Sequence, residues 1–458
     1  MALRTIGLAL LMMAATAQAQ GPGNGWQDAP AARVSEKPES APKRLTLFRG
    51  AVLIDGNGGV ARPNMSILVE GDRIKAVMPD AEVARYTGDI VDASRLYVLP
   101  GLIDTHEHLA TSPDRNWAEA QMKRDLYGGI TAVRDMAGDV RALGELSRAS
   151  LLGEIAGPDI YYAALMAGPS FFDDPRTIAA AQGAKPGATA WMQAVDDRTD
   201  MALAVARARG TGATGLKIYA NLSGDMVRKI TEEAHRQGFP VWAHSQVSPA
   251  IPADVVAARP DVISHICAFG WQASARRPQS YRDRVPVDPA PFAKGDNAWM
   301  AALFREMKRK GIVMDATLRV YVEGDKRAAE SGKPSYCPAD IAYRLTNQAW
   351  REGVMISAGT DGMTDTKDAY SALHEELELL SDKAGLPPMD VIRAATSIAA
   401  RTIAQEKEMG SVEPGKLANL VFVAKDPLLD VSNLRSVVFT VKRGTVYRRE
   451  DYKSGMGQ

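Results

Sequence analysis

Between residues 99 and 405, short apolar runs alternate with amphipathic stretches. Eight of the runs have the length and composition of buried strands: 101–104, 131–135, 159–163, 215–219, 241–244, 262–265, 312–316 and 355–360. Helical periodicity separates most of them. It is clearest over 225–237, where Met226, Val227, Ile230 and Ala234 share one face. Eight strand–helix repeats over roughly 300 residues predict an α/β chain folded as a (β/α)8 TIM barrel rather than an open doubly wound sheet. No Gly-rich phosphate fingerprint follows any strand, which argues against a nucleotide-binding fold. The two ends have another rhythm. Stretches 45–48, 51–55, 66–70 and 73–77, and later 420–424, 437–443 and 446–448, read as strands between turns such as Asp55-Gly56-Asn57-Gly58-Gly59. They predict a small β-sandwich domain formed by both chain ends, residues 44–98 and 411–450, flanking a barrel of residues 99–410.

The first nineteen residues belong to neither body. Arg4, an apolar run over 6–15 and Ala17-Gln18-Ala19 make a secretory signal peptide, shorter than the about 20 apolar residues a bilayer span needs. The expected location is therefore periplasmic or secreted, with cleavage near Ala19. Residues 20–43, rich in Gly, Pro and Ala without apolar periodicity, read as a flexible leader. In the 458 residues, 46% hydrophobic and 24% charged positions are ordinary globular usage. Lys and Arg number 55 and Asp and Glu 55, with no basic tail or stripe, so neither a nucleic acid nor, after signal cleavage, a membrane is an expected partner. Two cysteines make no disulfide scaffold. Cys267 and Cys337 fall in adjacent barrel loops and are candidates for one disulfide in an oxidising compartment.

Only six histidines occur, and their places are telling. An apolar strand in Val98-Leu99-Pro100-Gly101-Leu102-Ile103-Asp104-Thr105-His106-Glu107-His108 ends in His-x-His. In extended backbone, residues two apart face the same way, so His106 and His108 can converge on one ion. His244 closes Val241-Trp242-Ala243-His244, His265 closes Val262-Ile263-Ser264-His265, Asp361 follows Ser357-Ala358-Gly359-Thr360, and Lys217 ends Gly215-Leu216-Lys217 or nearly so. A barrel opens the C-terminal ends of all its strands onto one face. Four histidines, an aspartate and a lysine that are distant in sequence are thus delivered to one mouth, a metal site.

With these motifs the chain resembles the amidohydrolase superfamily of metal-dependent hydrolases, most of all its imidazolonepropionase-like and prolidase-like dipeptidase branch. The resemblance runs from the split β domain through all eight strands. It includes His374-Glu375-Glu376-Leu377-Glu378 and the exit Gly410-Ser411-Val412-Glu413-Pro414-Gly415-Lys416. It implies two divalent metal ions, with zinc the first expectation. His106, His108 and Asp361 would hold one ion, His244 and His265 the other, and an N-carboxylated Lys217 would bridge them. The physics agrees, because a buried ammonium beside two cations is heavily penalised and must lose its proton. An ordinary Lys217 ammonium paired to a carboxylate in a one-metal enzyme remains the alternative. Asp361 is the expected catalytic acid and base, and the expected reaction is hydrolysis of an amide bond in a small-molecule substrate such as a dipeptide or N-acyl amino acid. The resemblance also implies a homo-oligomer. Rival readings are a mononuclear cyclic-amide hydrolase or deaminase, a lactonase or phosphotriesterase-type esterase, and a metal-free scaffold or binding protein.

Tyr219, Arg319 and Tyr321 are candidate substrate contacts; packing suits Tyr219 as well, and a structural ion pair suits Arg319 as well. His374 on an apolar helix face suits a supporting role, and His235, in the last turn of a helix, a surface one. Phe171, Phe172 and Trp271 would wall an apolar pocket. Long loops at 165–191, 267–297 and 317–338 would set specificity.

Overall fold

The computed structural model describes residues 44–454 except 84, 85, 87, 113 and 363–367. The expected signal peptide and leader lie outside the described residues.

All eight apolar runs become strands: β1 (Leu102–Glu107), β2 (Ile130–Asp135), β3 (Asp159–Ala167), β4 (Gly215–Ile218), β5 (Val241–His244), β6 (Val262–Ser264), β7 (Val313–Asp315) and β8 (Met355–Ser357). Each pairs in parallel with the next in chain order. Backbone bonds close the ring, from Thr105 N–H to Ala358 O at 3.0 Å and from Asp361 N–H to His106 O at 2.9 Å. The fold is a (β/α)8 barrel with a sheet built from both chain ends. Parallel strands covered on both faces read as unbroken apolar runs, and every residue of β4, β6 and β7 is buried. The bottom of the barrel is filled by Trp242, packed on Met136, Ala163, Val262 and Val313, with its indole N–H donating to Thr402 O at 2.8 Å. Gly215 makes room for that ring, since a Cβ there would lie 2.5 Å from it. Outside, helix Gly224–Arg236 buries the expected stripe of Met226, Val227, Ile230 and Ala234, and Ser223 accepts from Met226 N–H as its cap. Among the described residues no helix is long and apolar enough to cross a membrane.

The chain ends form one eight-stranded sheet. Thr445–Arg448 borders Val437–Lys442, then come Leu420–Val423, Tyr97–Pro100, Leu45–Leu53, Arg62–Glu70 and Arg73–Pro79, with Asp89–Asp92 also pairing with Leu45–Leu53. Phe48, Phe422 and Phe439 form one ring cluster in the core of this sheet, with the Phe422 centroid 5.1 Å from that of Phe48 and stacked 4.3 Å from that of Phe439. Stretches 45–48 and 51–55, read as two strands, are one. Two register shifts bend it, and Gly50 takes φ +74° at the first. Asp89–Asp92 was not expected, because its exposed acidic residues carry no apolar signal. Conversely, the apolar run from Tyr97 to Glu107 is two strands in two sheets. Pro100 pairs with Leu420, Leu102 with Ile130, and the switch falls at Gly101. A side chain at 101 would collide with Thr131 at 2.2 Å, and Gly101 N–H donates to Asn419 O at 2.8 Å.

Candidate metal centre and its cavity

The strand ends deliver their side chains as one constellation. His106 is 1% exposed, and its Nδ1 lies 2.8 Å from Asp315 Oδ2, which turns Nε2 toward Asp361 Oδ1 at 3.3 Å. His108 Nε2 meets the same Asp361 oxygen at 3.1 Å, while its Nδ1 lies 3.3 Å from Ala137 O. Both histidines serve one point, although β1 does not alternate cleanly. A register shift between Asp104 and Glu107 lets Thr105 and His106 both reach Asp315. Across the mouth, His265 Nε2 is 3.1 Å from His244 Nε2, and its Nδ1 lies 3.0 Å from Thr317 Oγ1 and 3.7 Å from Asp361 Oδ2.

Backbone strain concentrates here. His265, Thr317 and Asp361 take φ of +77°, +53° and +45°, a left-handed conformation that non-glycine residues seldom adopt. For Asp361 the bond to His106 O holds it in place. Gly359, two residues earlier, must lack a side chain, because its Cβ would fall 2.2 Å from Asp315 Oδ1.

Lys217 is fully buried and its Nζ has no hydrogen-bond partner among the described residues. Burial, followed by the nearby Arg134 guanidinium, pushes its ammonium down to about 7. Burial also drives the imidazoles of His106 and His265 down to about 4 and about 3, and that of His244 well below its usual value. Burial opposes ionisation of Asp361 too, yet the imidazoles of His106, His265 and His108 carry its carboxyl well below the usual range. The imidazole of His108 moves the other way, raised by its contact with Asp361 against the effect of burial. The neutral imidazoles of His106, His244 and His265, an ionised carboxylate and an amine able to be neutral are the protonation states that divalent-ion ligands require. His106, His108 and Asp361 place ligand atoms within 4.8 Å of one another, a possible three-residue metal site. The donor chemistry fits such ions.

Reading strand ends did not single out the residue that organises this centre. Asp315, fully buried at the end of β7, accepts from Thr105 Oγ1 (3.1 Å), Arg134 Nη2 (3.0 Å) and Ser264 Oγ (2.8 Å), and holds His106. The rule that picked out Asp361 after β8 applies equally to Asp315 in Val313-Met314-Asp315.

The centre floors a cavity of about 790 Å3, to which His108, His244, His265 and Asp361 contribute. Tyr219 and Tyr321 line it. Tyr219 is flanked by His244 and Phe171, with ring centroids 4.2 and 4.5 Å away, and its hydroxyl is 3.5 Å from that of Tyr281. Phe171 and Trp271 line the wall, while Phe172 is buried behind it. Arg319 does not line the cavity; Glu375 holds its Nε at 2.8 Å, the structural ion pair that competed with a substrate role. The stretch 317–338 is not a loop throughout but contains helix Leu318–Ser331, whose first N–H groups are taken by Glu376, from Leu318 N at 2.9 Å and Arg319 N at 2.8 Å. The stretch 165–191 likewise includes the end of β3 and helix Pro175–Ala181. Cys267 and Cys337 are joined as a disulfide, Cα atoms 6.0 Å apart, and Cys337 lines the cavity. The two remaining histidines hold no place at the centre. His374 bonds Gly128 O at 2.9 Å, and the half-exposed His235 bonds Asp261 at 2.9 Å.

Comparison with known proteins gives consistent results. The profile of the amidohydrolase family matches residues 97–448. An imidazolonepropionase from Symbiobacterium thermophilum is 24% identical over 398 residues, covering 84% of this chain and 87% of its own. A 5-methylthioadenosine/S-adenosylhomocysteine deaminase from the same organism is 25% identical over 410 residues, covering 83% and 85%. Among solved structures, a Xaa-Pro dipeptidase with bound methionine in its active site superposes with a TM-score of 0.68 at 22% identity, over 88% of this chain and all of that one.

Proposed function

The chain belongs to the amidohydrolase family, and from that premise we propose that it is an exported two-metal hydrolase cleaving the amide bond of a small substrate such as a dipeptide or N-acyl amino acid. The observation that carries this reading is the convergence of His108, His244, His265 and Asp361 on the floor of one cavity, with His106 against Asp361 behind them and the Lys217 amine buried without a hydrogen-bond partner among the described residues. His106, His108 and Asp361 would hold one divalent ion and His244 and His265 the other, with Lys217, as its carbamate, supplying an anionic oxygen to each. Zinc suits this mixture of nitrogen and oxygen donors, and so do cobalt and manganese. When bound, two such ions supply Lewis acidity and bring the pKa of water down toward about 7.

The protein's own part follows from its geometry. Asp361 Oδ1 faces the Nε2 atoms of His106 and His108, on the side where the three would hold their ion, which leaves Oδ2 to take the proton from an attacking water. The same oxygen returns that proton to the departing nitrogen, without which an amine leaves poorly. Asp315 fixes the tautomer and direction of His106, as the partner behind a metal-bound imidazole does. Phe171, Tyr219 and Trp271 shield the reacting end from bulk water.

The test combines metal analysis with a panel of dipeptides, N-acyl amino acids, lactones and phosphotriesters. The expected result is two ions per chain and cleavage of amides, lost on chelation and restored by zinc. Asp361→Asn should keep the metals and lower kcat by at least about 100-fold, the cost of removing a general acid–base group. Two ions with ester cleavage alone would replace this reading by the esterase one, and one ion per chain by the mononuclear one.

A further inference from the structure

The walls of the cavity are electrically lopsided. The whole chain balances 55 basic against 55 acidic residues. Around the cavity, however, stand Arg176, Arg284, Arg327 and Lys333, with Asp361 the one lining carboxylate among the described residues. Arg176 is neutralised by Asp174, at 3.0 and 2.9 Å. Arg284, Arg327 and Lys333 are exposed and make no ion pair within 4 Å of any described residue, although Arg284 lowers the Asp174 carboxyl and Arg327 that of Glu323 from further off. Some exposed arginines elsewhere take acidic partners, as in Arg228–Glu232 at 3.0 Å and Arg305–Glu352 at 3.1 Å, and others, such as Arg207 and Arg276, take none among the described residues; what sets these three apart is that they share one opening. Three unpaired cations around one opening, with the single carboxylate on the floor, favour an anion that sits away from the metal centre.

Arg284 is the best placed of the three. Its guanidinium lies 5.5 Å from the ring centroids of both Tyr281 and Tyr336. Tyr281 is itself pinned, its N–H donating to Asn221 Oδ1 at 2.8 Å and its hydroxyl accepting from Arg176 at 2.6 Å. A guanidinium braced on two rings keeps its N–H edge free for a planar, two-oxygen acceptor and loses little freedom on binding it. Between Arg284 and the metal centre stands the apolar wall of Phe171, Tyr219 and Tyr281, centroids 4.5 to 5.5 Å apart. We propose that the substrate carries a free carboxylate, held by Arg284 at the exposed end of the cavity, so that anionic amides with an apolar body are selected over their neutral counterparts. This rests on reading the cavity as the active site of an amide hydrolase.

The experiment compares 8-acetamidooctanoic acid, whose apolar chain separates its carboxylate from the scissile amide, with its carboxamide, following acetate release, in the metal-loaded wild type, Arg284→Gln and Arg284→Lys. The expected wild-type preference for the acid in kcat/KM is at least about 10-fold, the scale of one charge-assisted hydrogen bond. R284Q should collapse that ratio through a higher KM for the acid, with R284K retaining part of it. Equal cleavage of the pair by the wild type, or an unchanged ratio in R284Q, would overturn the proposal. If neither compound is cleaved, the hydrolase reading fails on its own account. Calorimetric binding of the same two compounds then decides: weaker binding of the acid to R284Q supports the carboxylate site, and equal binding removes it.

Discussion

Asp315 shows how one buried carboxylate can set the chemistry of a metal centre that it does not itself join. Burial opposes its ionisation, but His106, Arg134 and Ser264 hold its charge and bring its pKa down to about 2, from an ordinary 3.8. A carboxyl depressed by folding contributes stability above its unfolded pKa. That contribution is complete above about pH 4 and is lost as pH falls toward 2. Asp315→Asn should therefore flatten the loss of stability between pH 4 and 2, seen in urea unfolding at a series of pH values. It should also weaken metal affinity by about 10- to 100-fold, read by chelator competition, because His106 loses the anion that orients it. A variant that binds metal as tightly as the wild type would leave Asp315 with a purely structural role.

At the scale of elements, the boundary between what the sequence shows and what it hides is physical. The eight barrel strands, and the gathering of the candidate ligands at their ends, were legible because buried parallel strands are apolar throughout and because a barrel aligns all its strand ends. Helix Leu318–Ser331 was not, since the cap that starts it comes from Glu376, more than fifty residues away, and no local cap marks it. The first barrel strand was placed within a residue of its true start, but Tyr97–Pro100 was hidden as a strand of the other sheet for the opposite reason: the run is apolar on both sides of Gly101, and only contact with Thr131 and Asn419 separates the halves. Arg319 offered a charge at the right strand end, but the partner that claims it, Glu375, lies on another helix. Removing the distant cap is a direct test. Glu376→Ala leaves two buried N–H groups unsatisfied and should cost about 2–3 kcal/mol in urea unfolding, whereas Glu376→Gln, which keeps an acceptor, should cost less. Equal losses would mean that packing rather than capping holds the helix.

For the molecule as a whole, the cavity is the meeting place of distant segments, and the Cys267–Cys337 bond ties two of them across 70 residues of sequence. Closing a loop of that length stabilises by about 4 kcal/mol in the chain-entropy account, with about 2–4 kcal/mol typical. Cys267→Ser with Cys337→Ser should lose that amount in urea unfolding, and reductant should destabilise the wild type but not the double variant. The sheet built from both ends has a different kind of consequence, which lies in the order of synthesis. As the chain leaves the ribosome, Tyr97–Pro100 and the N–H of Gly101 meet their partners at Leu420–Val423 and Asn419 only when the last strands are made. The strand carrying His106 is anchored directly behind that pairing, so its ligands are held in register only by a finished chain. A nascent polypeptide of this design does not yet hold its candidate metal ligands in place, and becomes competent only when its last strands have been made.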